Sequence, residues 1–197
     1  MAEKERTRLV EQRATNSQTV AFVADQEAAI ADQAEGLAKE HPELGEFASR
    51  ERANRDRLQA VVEEERRLAT AIQFEFSDEL TLAAQAREHR MELLEVAREE
   101  GRIAEGLLAR EAEDPTVEVL AEQARRNRTL LLHVASTERE ADQALREAEG
   151  EPEAPGTCVT GSGLASGLSI GAAMAMVEAA QGFVPPDEQV TDGPPQG

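Results

Sequence analysis

Apolar residues recur at spacings of three and four from residue 3 to about residue 148. That is the period of a helix with one buried face. Gly and Pro are scarce in this stretch, and the two strong breaks, His41-Pro42 and Asp114-Pro115, are informative. Proline suits the first turn of a helix and disfavours helix at the residue before it. Each break therefore predicts a tight turn inside a helical hairpin. Ser77-Asp78 offers a helix N-cap between the two hairpins. The pattern predicts four helices, at about 4–40, 43–75, 78–112 and 116–148, each roughly 50 Å long at 1.5 Å per residue.

The pattern is also duplicated. Shifted by 73 positions, Ala48, Arg52, Asn54, Arg55, Leu58, Val61, Glu65 and Arg66 meet Ala121, Arg125, Asn127, Arg128, Leu131, Val134, Glu138 and Arg139. Val23, Glu27, Ile30, Ala31 and Pro42 meet Val96, Glu100, Ile103, Ala104 and Pro115. Short connections make sequential helices antiparallel neighbours. The expected fold is all-α: residues 1–148 form an antiparallel four-helix bundle built from a duplicated helical hairpin, with repeats at about 4–75 and 78–148. An extended coiled coil, or hairpins paired between chains, is the alternative. Duplication favours the single-chain bundle, because one hairpin can cover the apolar face of the other.

Composition narrows the chemistry. The chain of 197 residues has no Trp or Tyr, so its core is aliphatic. A net charge of −19 argues against a nucleic-acid backbone as partner and against anionic membrane surfaces. Cys158 stands alone, which excludes an internal disulfide framework. Residues 1–13 are charged and lack the apolar stretch of a secretory signal, so the expected location is cytoplasmic. Ser, Cys and His are too sparse for a nucleophilic triad, and no phosphate loop or dinucleotide fingerprint occurs. The expected activity is non-catalytic.

Polar residues on the apolar stripes raise the first chemical question. Glu27, Glu100, Glu65, Glu138, Asn54 and Asn127 interrupt the seams, each with its repeat counterpart. One reading is a carboxylate metal site. Ferritin-like di-iron bundles share this internal twofold symmetry, taking one Glu from each of two helices and a Glu-x-x-His pair from each of the others. Glu27 and Glu100 suit the first role, and that resemblance implies iron. The second role fails on the histidines, because Ala38, Ala86 and Leu130 stand three before His41, His89 and His133. Reflection about Pro42 also puts Arg57 or Leu58, rather than Glu65, level with Glu27. His133 stands against Ala60 in the repeat and is a weak further ligand candidate, roughly level with Glu100. The other reading places the carboxylates at seam edges, with their heads on Arg, and makes Asn54 and Asn127 register-setting residues. On that reading no cofactor is bound.

The C-terminal quarter changes character. Residues 149–160 have the composition of a linker, residues 161–184 are apolar and rich in Gly and Ala, and residues 185–197 read as disordered. Within them, Leu168-Ser169-Ile170-Gly171-Ala172-Ala173 resembles the C-terminal loading peptide of encapsulin cargo proteins, which follows a Pro/Gly-rich linker. It departs from that pattern at Ala173, where a large apolar residue is usual. The resemblance implies that Leu168 and Ile170 fill apolar pockets on a shell wall and that Gly171 permits a close turn. With Leu164, these residues form the expected partner-binding segment, 163–174. Gly163, Gly167, Gly171 and Ala175 also form a ridge of the kind that packs membrane helices, although Glu178 and the absence of basic flanks oppose insertion. The expected function is thus a binding or packaging protein that docks to a protein partner through residues 163–174, with an encapsulin shell as the named candidate. A ferritin-like iron bundle and a membrane-inserting protein are the alternatives, and homo-oligomerisation is left open.

Overall fold

The computed structural model describes residues 1–74, 77–109 and 115–149. They form four helices: α1 (Glu3–Leu37), α2 (Leu44–Phe74), α3 (Glu79–Leu108) and α4 (Pro115–Glu149). Helix α1 packs most extensively on α2 and α3 on α4, while α1–α4 and α2–α3 contacts close the ring. The duplicated four-helix bundle expected from the sequence is the architecture found. Leu164, Leu168, Ile170 and Gly171, the linker and the end of the chain lie outside the described residues. Among the described residues no helix is long and apolar enough to cross a membrane.

The helix ends follow local chemistry. Asp78 caps α3 as expected, accepting from the Thr81 backbone N–H at 2.9 Å and from its hydroxyl at 2.8 Å. Pro115 opens α4, where its missing N–H would have had no helical partner. Pro42 lies in the link 38–43, two residues before α2 begins. Helix α1 stops at Leu37 rather than near residue 40.

The interior is stratified. At the end nearest the link 38–43, Ile30, Leu44, Phe47, Ile103, Leu107, Val117 and Leu120 form one apolar cluster. Val20, Val23, Leu58, Val61, Leu93, Val96, Leu131 and Val134 form a second in the middle. Leu9, Leu68, Ile72, Leu82 and Leu145 form a third at the far end. Two buried polar layers separate the three. Glu27, Glu51, Asn54, Glu100 and Asn127 make one; Arg13, Asn16, Glu65 and Glu138 make the other, with His89 at its margin. On α1, α2 and α4 the corresponding positions (13 and 27, 51 and 65, 124 and 138) stand fourteen residues apart. The layers are therefore two heptads, or about 21 Å, apart along the axis.

Candidate metal centre

Glu27 on α1, Glu51 on α2 and Glu100 on α3 converge in the first polar layer. Each offers a carboxylate oxygen within 4.8 Å of the others, and all three residues are 0 % exposed. Asn54 donates from Nδ2 to Glu100 Oε1 at 2.7 Å. Beyond that bond the layer is short of partners. Glu51 and Asn127 approach Glu100 closely enough to act on its charge, but both oxygens of Glu27, both of Glu51, Oε2 of Glu100 and Nδ2 of Asn127 are buried without a hydrogen bond of good geometry.

Buried carboxylates at this spacing cannot all stay charged. Burial, then the charges of Glu100 and Glu51, push Glu27 up to about 10. Burial and Glu100 push Glu51 up to about 9. Burial raises Glu100 to about 7, with the Asn54 hydrogen bond acting against it. Without a cation, neutral pH leaves protons on Glu27 and Glu51. A divalent ion would replace those protons with the positive charge that the layer lacks.

The second layer has its cation built in. Arg13 Nη1 donates to Oε2 of both Glu65 and Glu138, at 2.8 Å each, and all three side chains are fully buried. Asn16 Nδ2 donates to the other oxygen of Glu138. His89 Nδ1 lies 2.7 Å from Glu65 Oε1. Burial opposes charge on Glu65, but His89 and Arg13 together outweigh it and hold the carboxyl below its ordinary value. At Glu138 burial wins over Arg13 and Asn16, so the carboxyl is raised. Arg13 loses solvation, but the two carboxylates more than compensate and raise it.

The seam carboxylates fall into two different layers. Glu65 and Glu138 meet an arginine. Glu27 and Glu100 face each other across the bundle. Their third member, Glu51, stands on the seam, but its repeat counterpart is Ala124, so duplication does not mark it. The reflection about Pro42 misplaced the level of Glu27 because it counted the link as helix. Residues 38–43 belong to neither helix; ten residues from the end of α1 (Leu37 back to Glu27) matches ten from the start of α2 (Leu44 to Asn54). Carboxylate stems span the remaining turn to Glu51. His133 is half-buried on α4 and is not part of the trio. The polar partners of the second layer, Arg13, Asn16 and His89, stand against Ala86, His89 and Asn16 in the repeat, so they too escape a search for matched residues.

Glu51-x-x-Asn54 on α2 is matched in the repeat by Ala124-x-x-Asn127 on α4. The first layer is thus an all-oxygen set of three carboxylates with two amides beside it. Comparison of the chain with protein-family models, with curated proteins and with solved structures finds no match.

Proposed function

We propose that this bundle is a binding protein for one hard divalent cation, of the Mn²⁺ or Fe²⁺ kind, held in its core by Glu27, Glu51 and Glu100. The observation that carries this reading is the set of five carboxylate oxygens buried without a well-formed hydrogen bond in the first layer. Uncompensated buried carboxylates are costly, and the same bundle supplies Arg13 to Glu65 and Glu138 in its other layer. All-oxygen donors favour hard ions over soft ones. The donor bond from Asn54 orients Glu100, the task of an outer-shell amide. With one carboxylate fewer than a ferritin-like centre and no imidazole, the set suits a single ion and binding rather than oxidative turnover.

The test is linkage. A cation that binds only the folded chain stabilises it by RT ln(1 + [L]/Kd), about 2.7 kcal/mol at one hundred times Kd. Mn²⁺ should raise the melting temperature of the chelator-treated chain and leave Glu27→Gln unmoved. A wild-type melting temperature indifferent to millimolar Mn²⁺ and to anaerobic Fe²⁺ would overturn the proposal. Residues 163–174 retain a separate proposed role as an address for a shell partner. Deleting 160–176 should abolish capture by an encapsulin shell and leave cation binding intact. Retained capture would end that role.

A further inference from the structure

We propose that the cation enters and leaves the Glu27 site through the seam between α2 and α3, and that Arg50 and Arg57 form the latch that holds this seam shut. The inference rests on cation binding at Glu27, Glu51 and Glu100, and concerns the route to that site. The seams within the hairpins, α1–α2 and α3–α4, are the closely packed ones. The two that close the ring are thinner, and α2–α3 is the thinnest. Across it Arg50 Nε donates to Glu99 Oε1 at 2.6 Å. One heptad further along α2, Arg57 Nε donates to Glu92 Oε1, and its Nη2 lies 3.6 Å from Glu95 Oε2. Glu51 and Asn54 stand between these two arginines in the chain, and Glu100 follows Glu99. The latch therefore brackets the trio. The charge of Arg57 reaches Glu27, and those of Arg50 and Glu99 reach Glu51.

Two features make this seam a path rather than a wall. Its carboxylates grade from solvent to site: Glu95 is 57 % exposed, Glu92 39 % and Glu99 22 %, while Glu100 is fully buried. A cation shedding water finds an oxygen ligand at each stage. Partly exposed ion pairs are weak enough to open and re-form, so each guanidinium can give way in turn. Three carboxylates against two guanidiniums also leave the seam net negative, which favours a cation. The duplication supplies the contrast. The other ring-closing seam, α1–α4, has Gln123 and Leu130 where α2 has Arg50 and Arg57. It has Thr19, Phe22 and Gln26 where α3 has Glu92, Glu95 and Glu99. An ion crossing there would lose water with no carboxylate at these positions to replace it.

Release of Mn²⁺ from the loaded full-length chain into excess chelator, followed by stopped flow, tests the inference. Arg50→Gln/Arg57→Gln should release the ion about tenfold faster than wild type, the size expected for two partly exposed pairs, and should take it up faster as well. Arg57→Gln alone should show a smaller acceleration, which serves if the double variant does not fold. The release rate is the discriminating quantity. Guanidiniums acting only through their charge repel the bound cation, so removing them would hold it longer and slow its release. Arg52→Gln breaks an ion pair with Glu35 on the α1–α2 seam and should leave both rates unchanged. Release that is unchanged or slower in the Arg50 and Arg57 variants overturns the latch and leaves the site standing. Equal acceleration in Arg52→Gln would mark a general loosening of the bundle and also overturns it. A wild-type chain that takes up no Mn²⁺ overturns the reading of the trio, and this inference with it.

Discussion

Two layers of the same bundle, built from equivalent helical positions two heptads apart, handle buried carboxylates in opposite ways. Around Arg13 the negative charges meet an internal cation and stay folded into an ion-pair network. Around Glu27 a similar ring carries three carboxyls and no cation, and protonation takes the place of neutralisation. Position alone does not decide what a buried acid does. The residue placed across from it decides, and here a single Arg makes one layer self-sufficient and leaves the other dependent on protons or a bound ion.

Breaking this contrast should give effects of opposite sign. Removing Arg13 strands two buried carboxyls, and loss of one partner from a buried pair costs about 3–5 kcal/mol. Arg13→Ala should therefore show the largest loss in metal-free denaturant unfolding. Glu51→Gln removes a buried acid whose charge has no partner, and should instead stabilise the metal-free chain, by about 1–2 kcal/mol near pH 8, since replacing buried charges with neutral groups is often favourable. It should also abolish the stabilisation by Mn²⁺. If Arg13→Ala is neutral or Glu51→Gln destabilises, the contrast between the layers fails.

The layers should also respond oppositely to pH. Glu27 and Glu51 have folded values near 10 and 9, above the ordinary 4.5, so the folded state holds the extra protons. Stability is then full below about pH 4.5 and falls as pH rises toward the folded values. Glu65 is lowered, so its contribution is present above the ordinary carboxyl value and is lost on acidification. Metal-free melting curves should show the alkaline loss shrinking in Glu51→Gln and the acid loss shrinking in Glu65→Gln. The smallest effect concerns packing rather than charge. A Cβ at Gly106 would come 2.9 Å from Phe47 Cε1. Gly106→Ala should cost about 1 kcal/mol by overpacking in spite of its better helix propensity, without altering cation binding. A change in binding would mean the apolar cluster beneath the trio helps to position it.

The body of the fold was legible because its signals are local and doubled. Heptad spacing, the Asp78 cap and the paired prolines each state the same hairpin, and the repeat states it twice. The site was legible only where it obeys the duplication: Glu27 with Glu100, Asn54 with Asn127. The residues that set its chemistry are the ones that break it. Glu51 faces Ala124 in the repeat, and Arg13 faces Ala86. An arginine set among the mostly polar residues 11–19 also reads as surface in a linear pattern, and only three-dimensional packing shows it fully buried between two acids. The level of the trio depended on how many residues of the link 38–43 advance along the axis, which periodicity does not report.

Calorimetric titration of Mn²⁺ into the chelator-treated full-length chain at pH 7.5, beside Glu27→Gln, tests the central claim most directly. Saturable uptake of one ion per chain, with proton release and with no uptake in the variant, is the expected result. Heats indistinguishable from dilution in the wild type, or equal uptake by both proteins, would contradict it.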